Sequence, residues 1–271
     1  MVVPTTSSLE TVTDTPHPIA SSTNDVTVAP TLNTTEKEVY MLAQLEDNGK
    51  CNLPCWWGII PGFANWLDVS MEYAQRGFES SQLPNGNTFG IGGFDLTSIS
   101  TYTEIVFTVK QNTVQNISIS ATGALKPLEF QKAWEYYSPD KILTKYGQPS
   151  RIWLDVSTYG NSNKAGYEYW LYYDNLGFLI IYGGSSQMKT NLNICPSFVY
   201  GENIQEIHLY LKGSNDLSSL ETLVGNDFIQ TRSRQLKTFE EAAGKPISKY
   251  FDNFLANQKN ICFDTPRNIW P

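Results

Sequence analysis

Residues 51–62 read Cys-Asn-Leu-Pro-Cys-Trp-Trp-Gly-Ile-Ile-Pro-Gly. No other stretch restricts the fold as much. A Cys51–Cys55 bridge needs a tight turn, which Pro54 helps to set, because an i,i+4 pair meets the Cα separation limit only in turn-like geometry. The tryptophan pair behind it needs a core within a few residues. Four cysteines allow three pairings, and the favoured set is Cys51–Cys55 with Cys195–Cys262. The second bridge closes a long loop and restricts the unfolded chain by about 4 kcal/mol on chain entropy alone. Redox pairs use C-x-x-C, whereas this motif is C-x-x-x-C. Zinc needs four ligands, and the only histidines are His17, near the amino terminus, and His208. The cysteines therefore read as structural disulfides and place the chain in an oxidising, extracytoplasmic compartment.

The rest of the composition points the same way. Charged residues make up 17% of the 271 positions, below the roughly 25% of an average globular protein. Ser, Thr, Asn and Tyr stand in their place. A net charge of -8 repels phosphate backbones and anionic lipid, which argues against nucleic acid as a partner. No apolar run reaches the ~18 residues of a membrane-spanning helix, so no integral span is expected. The opening MVVPTTSSLE lacks a basic region and an apolar core, so it is not a signal peptide; the cysteines favour a leader that has been removed. Residues 1–35 are rich in Thr, Ser and Pro and read as a disordered spacer whose removal leaves stability unchanged. Residues 36–271 form the folded part, with possible sub-units 51–125 and 126–271.

Periodicity predicts an α+β fold built mainly from antiparallel meanders. A first helix is expected over Thr35–Gln44, capped by Thr35. Asn65 caps a second that carries Trp66, Val69, Tyr73 and Phe78. Pro84-Asn85-Gly86-Asn87 is a turn, and 89–94 is a Gly-rich strand or loop. Tyr102–Lys110 alternates, Gln111-Asn112 turns, and Val114, Ile117 and Ile119 return as a hairpin. Pro127 opens a helix through Tyr137, and Ser138-Pro139-Asp140 caps another that Gly147 ends. Strands follow at Arg151–Val156, Tyr167–Tyr173, Phe178–Tyr182 and Ile204–Leu211. The last part is helical, at Leu217–Val224, Thr238–Ala243 and Ile247–Leu255.

Two resemblances emerge from these residues. Ile142 to Ser150, with its Tyr-Gly-x-Pro ending, followed by Tyr169–Tyr173 and Phe178–Tyr182, resembles the helix–strand–strand pattern of β-lactamase-inhibitor-protein-like and small outer-membrane lipoprotein repeats. Gly58-Ile-Ile-Pro-Gly62 resembles the opening of those repeats, with Phe63-Ala64 where a Thr cap is usual. The whole Cys-x-Leu-Pro-Cys-Trp-Trp-Gly-Ile-x-Pro-Gly string, with the ending Cys262 to Pro271, resembles uncharacterised secreted or lipid-anchored bacterial proteins, notably from Chloroflexota. That resemblance implies an extracytoplasmic location and no known activity.

The chain offers little that reads as catalysis. It carries no nucleophile elbow, dinucleotide fingerprint, P-loop, H-E-x-x-H or EF-hand loop, so no cofactor or metal is expected. His208 falls on the outward side of an alternating strand, with Glu206 and Tyr210. Glu168 and Asp174 could pair as glycosidase carboxylates, as could many pairs among 27 acidic residues. The aromatic strand Tyr167–Tyr173 is the remaining handle. Tyr169, Trp170 and Tyr172 either form an exposed platform for sugar rings or a protein partner, or pack under flanking helices. The sequence reading is thus a binding or interaction module of the cell envelope, meeting a protein or glycan. A hydrolase of envelope polymers and a structural assembly protein are the alternatives.

Overall fold

A computed structural model describes residues 31–83, 88–96, 98, 101–123, 125–158, 163–187, 190–198, 204–214, 216, 218–225, 236–256 and 261–271. The fold is α+β. Its helices are α1 (Thr34–Asp47), α2 (Trp66–Gln75), α3 (Pro127–Ala133), α4 (Pro139–Tyr146), α5 (Leu220–Val224), α6 (Phe239–Ala243) and α7 (Ile247–Ala256). Its strands are β1 (Ser80–Gln82), β2 (Thr88–Leu96), β3 (Thr101–Lys110), β4 (Thr113–Thr122), β5 (Arg151–Thr158), β6 (Lys164–Tyr173), β7 (Phe178–Gln187), β8 (Asn191–Ile194), β9 (Glu206–Lys212), β10 (Lys237–Thr238) and β11 (Phe263–Pro266). Nine strands form one antiparallel sheet in the order β1-β2-β3-β4-β9-β7-β6-β5-β10, and β8 pairs with β11 in a second small sheet.

The β3–β4 hairpin turns where its sequence says it should. Gln111 and Asn112 both take positive φ, 50° and 59°, which suits the right-handed twist of a two-residue hairpin. Two meanders, β1–β4 and β5–β7, alternate with helices along the chain. They are not separate sheets, because β9 inserts between β4 and β7 and pairs with both. The sequences 51–125 and 126–271 therefore share one sheet. The helical part expected at the carboxyl end also contributes β10 and β11.

Several local expectations shift. Helix α1 begins one residue earlier than expected, capped by Asn33 instead of Thr35. Asn33 Oδ1 accepts from the Glu36 amide, and Glu36 returns the bond to the Asn33 amide, a reciprocal cap. Deleting residues 1–35 would remove that cap, at a loss of about 1 kcal/mol, so 35 is not a neutral boundary. The spacer itself, through residue 30, and the turn at 84–87 lie outside the described residues, as do Leu217 and His17. The helix opened by Pro127 stops at Ala133 and tightens into a 3₁₀ turn over Glu135–Tyr137. The tighter winding keeps Trp134 and Tyr137, three positions apart, on the same buried side.

One face of the sheet carries the main core, built from Ile105, Phe107, Ile117, Ile119, Leu154, Tyr169, Ile180 and Leu209 and covered by α1–α4, α6 and α7. Both disulfides form, Cys51–Cys55 and Cys195–Cys262. The first belongs to a knot around Asn48, which is fully buried at the left-handed end of α1. Asn48 Nδ2 donates to the carbonyls of Cys51 (3.1 Å) and Cys55 (2.8 Å). Its Oδ1 accepts from the Tyr137 hydroxyl (2.8 Å) and the Trp57 amide (3.4 Å). Trp56 stacks on Trp57 at 4.7 Å and reaches Trp134 and Tyr137 at 6.3 and 5.6 Å. One side chain thus fastens the end of α1, the disulfide loop, the tryptophan pair and the 3₁₀ turn.

Replacing Asn48 by Ala removes the partners of the Cys55 carbonyl, the Trp57 amide and the Tyr137 hydroxyl, while the Cys51 carbonyl keeps the Tyr136 hydroxyl. The expected loss is about 3 kcal/mol, read by urea unfolding with unchanged slope. A loss under about 0.5 kcal/mol, the range of an ordinary surface substitution, would show that the knot does not depend on this side chain.

Candidate functional site

The second face of the sheet is ordered in transverse rows, because the neighbouring strand pairs from β3 to β5 are antiparallel and keep their register away from the irregularity at Thr108/Val109. One row runs Glu104, Ser120, His208, Ile181, Trp170, Trp153 across β3, β4, β9, β7, β6 and β5. The next toward one end runs Tyr102, Thr122, Glu206, Gly183, Glu168, Asp155. Toward the other end come Val106, Ser118, Tyr210, Leu179, Tyr172, Arg151. The face is polar and half-exposed over β4 and β9. Over β5–β7 it is acidic at one end and aromatic at the other.

The acidic end holds a recess of about 310 Å³ lined by Asp155, Glu168, Glu206, Gly183 and Ser185 among others. Asp155 and Glu168 are direct cross-strand partners. A Cβ at Gly183 would stand 3.1 Å from the Glu206 side chain, tighter than an ordinary contact, so glycine leaves this side of the recess clear. Glu206 also lies 3.8 Å from His208 Nε2. Ser120 is the cross-strand partner of His208, yet no hydrogen bond joins the two among the described residues. His208 is thus a half-buried strand residue, as its alternation indicated. Glu168 accepts from Trp170 Nε1 at 3.1 Å, whereas Asp174 is engaged elsewhere, so those two carboxylates do not converge. Among the described residues no group of three His, Cys, Asp or Glu side chains could hold a metal ion.

The aromatic candidates divide between the faces. Tyr169 belongs to the main core, where its hydroxyl meets that of Tyr250 at 3.2 Å. Trp170 and Tyr172 lie on the second face and are fully buried, packed with Leu179, Ile181 and Leu220 of α5. None of the three presents a ring to solvent, and the exposed platform for sugars is not what this surface offers. The alternation of β6 correctly separates the two faces; what it cannot show is that α5, fifty residues later, returns to cover the second.

Arg151 holds that cover. Its guanidinium grips Asp174 through two bonds, Nε–Oδ2 at 3.0 Å and Nη2–Oδ1 at 2.6 Å, and donates through Nη1 to Glu221 of α5. It lies 4.3 Å above the Tyr172 ring. Burial opposes ionisation of Asp174 and Glu221, but hydrogen bonds from Arg151 outweigh it and hold both carboxyls below their ordinary range.

Large apolar side chains are exposed elsewhere. Phe63, Leu67 and Met71 follow one another at four-residue spacing, 68%, 56% and 48% exposed, with Ile60 at 47% just before them. Leu67 and Met71 share one face of α2. The opposite face, Val69 and Tyr73, enters the core. The sequence of this segment is apolar on two helical faces, of which only one can face the sheet. The backbone beneath Phe63 is pinned to the hairpin: the Gly62 amide donates to Val114 (2.7 Å), the Val114 amide to Ala64 (2.9 Å) and the Trp66 amide to Asn112 (2.8 Å).

A carboxyl with a lowered folded-state pKa contributes stability that is complete above its unfolded value and is lost as pH falls through the folded one. The melting-temperature difference between the native chain and an Arg151→Met variant should therefore be constant near neutrality and close below about pH 4. A difference that persists at about pH 2 would mean that Arg151 acts only by packing on Tyr172. No described helix is long and apolar enough to cross a membrane. The chain matches no protein-family model, no curated protein and no solved structure.

Proposed function

We propose that this chain is an extracytoplasmic binding module of the cell envelope that engages a protein partner through the stripe Ile60, Phe63, Leu67 and Met71. The carrying observation is that Ile60, Phe63, Leu67 and Met71 are all exposed within twelve residues of sequence, whereas the other exposed large apolar side chains among the described residues, Val39, Tyr102, Leu125, Leu128, Leu176 and Leu255, come singly or in a pair. Such patches mark interaction sites. The stripe is pre-organised by the Asn48 knot and the hairpin bonds beneath Phe63, which lowers the ordering entropy lost on association.

Charge selects the class of partner. Asp68 is exposed beside Leu67, Glu72 follows on the same helix, and the whole chain carries -8. Anionic lipid is disfavoured by that sign, and a protein segment with apolar anchors and a basic rim fits it. Two structural disulfides support the oxidising compartment. A structural assembly protein would share the stripe; the recess on the opposite side of the sheet favours the binding module over it.

The test compares the immobilised chain with a Phe63→Asp/Leu67→Asp variant against envelope extract, with circular dichroism to establish that both fold. The expected result is one protein retained in near-stoichiometric amount by the native chain, weakened by salt and reduced at least tenfold by the variant. Equal retention by both would overturn the reading. So would concentration-dependent dimerisation abolished by the variant, which would assign the stripe to a second copy.

A further inference from the structure

We infer that a recess between α3 and the start of α4 binds a primary ammonium group carried on an aliphatic stem. The site lies apart from the α2 stripe and rests on different observations.

The recess holds about 310 Å³ and is lined by Leu128, Gln131, Ser138, Asp140 and Phe198 among others. Three atoms on these residues, Gln131 Oε1, Ser138 Oγ and Asp140 Oδ1, are buried and have no hydrogen-bond partner within the protein. Gln131 and Ser138 are only 4% and 1% exposed. Buried polar groups left unbonded lower stability, and native proteins keep few of them. Unmet groups also occur in the main core, where the indole N–H groups of Trp56, Trp57 and Trp134 are enclosed by one another's rings. The three oxygens differ from those. All of them can accept a hydrogen bond, and all line one recess, whose edge at Leu128 is 69% exposed.

Each oxygen is placed by its position in the fold. Leu128, Gln131 and Lys132 share one face of α3 at three- and four-residue spacing. Gln131 Nε2 donates to the Ile204 carbonyl at 3.4 Å, which commits that end of the amide and leaves Oε1 unmet. Ser138 occupies the N-cap of α4, where a serine hydroxyl ordinarily accepts from a first-turn amide. It makes no such bond here. Asp140 is the second residue of α4 and half-buried, with one carboxylate oxygen turned away from solvent.

This set of acceptors selects the ligand. An ammonium group carries three N–H donors, one for each oxygen, and its bond to Asp140 is charge-assisted. A hydroxyl donates once and would leave two oxygens unmet. Calcium takes about 6–8 oxygen ligands, more than this set offers. Leu128 and Phe198 supply apolar walls for a methylene stem, and Phe198 is anchored on Phe130 of the core, with centroids 6.5 Å apart. Of the charged residues in the lining, Glu135 pairs with Lys141 at 3.7 Å. Lys132 is exposed and donates to none of the three oxygens.

The test is isothermal calorimetry on the full chain with two probes that carry the same group, cadaverine and Nα-acetyl-lysine methylamide. Binding of cadaverine alone would assign the recess to a free amine, and binding of both would assign it to a lysine side chain as well. Asp140→Asn should weaken binding at least tenfold. Ser138→Ala should weaken it about fivefold with the melting temperature unchanged, since the hydroxyl caps nothing. Lys132→Gln should strengthen it about threefold by removing a like charge. 1-Pentanol, with the same stem and one hydroxyl, should not compete. The inference is overturned if neither amine binds at millimolar concentration, if binding is indifferent to both Asp140→Asn and Ser138→Ala, or if pentanol competes as well as cadaverine.

Discussion

The Asn48 side chain sets the frame on which the rest of the molecule hangs. An asparagine tolerates the left-handed conformation that ends α1, and from there it reaches both carbonyls of the disulfide loop, the Trp57 amide and the Tyr137 hydroxyl. The Cys51–Cys55 bridge alone would close a small ring with no fixed relation to the sheet. With Asn48 inside it, the ring is oriented against the 3₁₀ turn of Glu135–Tyr137, and the tryptophan pair is fed into the core. The segment leaving the ring, Gly58 to Ala64, is then delivered to the hairpin end of β4, where three backbone bonds fix it. The exposure of Phe63 on a rigid base is a consequence of this chain of attachments.

The sheet distributes chemistry by simple alternation. On β6, odd positions from Tyr167 to Tyr173 enter the large core, and even positions from Gly166 to Tyr172 line the other face. Register then gathers residues far apart in sequence into rows: Asp155, Glu168 and Glu206 at one end, Arg151, Tyr172 and Tyr210 at the other. Gly183 keeps the acidic end open by omitting the side chain that would fill it. The same face therefore carries a polar recess and a small aromatic core side by side, with Trp170 and its bond to Glu168 at their boundary.

Much of the local structure was legible because its causes are local. Asn65 as a cap, the Gln111-Asn112 turn, Pro127 and Pro139 at helix starts, Gly147 at a helix end and the Cys51–Cys55 bridge each follow from a few neighbouring residues. The cap lies two positions before Thr35, since Asn33 with Glu36 makes a reciprocal cap. The placement of β9 between β4 and β7 could not be read, because strand order depends on pairing across about ninety residues of intervening chain. The small β8–β11 sheet escaped for the same reason, although Cys195 and Cys262 beside those strands foreshadowed it. For the candidate sites, the two aromatic faces of β6 are legible, but the cover over Trp170 and Tyr172 arrives from α5. The stripe on α2 is not legible in the sequence, because a helix with two apolar faces does not show which of them the sheet covers.

The most direct measurement of the central claim, that the knot presents the α2 stripe to a protein partner, is photo-crosslinking in intact cells of the source organism. A photoreactive phenylalanine would replace Phe63, Met71 or, as a control on the opposite side of the sheet, Ser118. The account predicts a single discrete protein adduct from positions 63 and 71, lost in an Asn48→Ala background, and none from 118. Adducts from 118 with none from the stripe, or stripe adducts indifferent to Asn48, would contradict it.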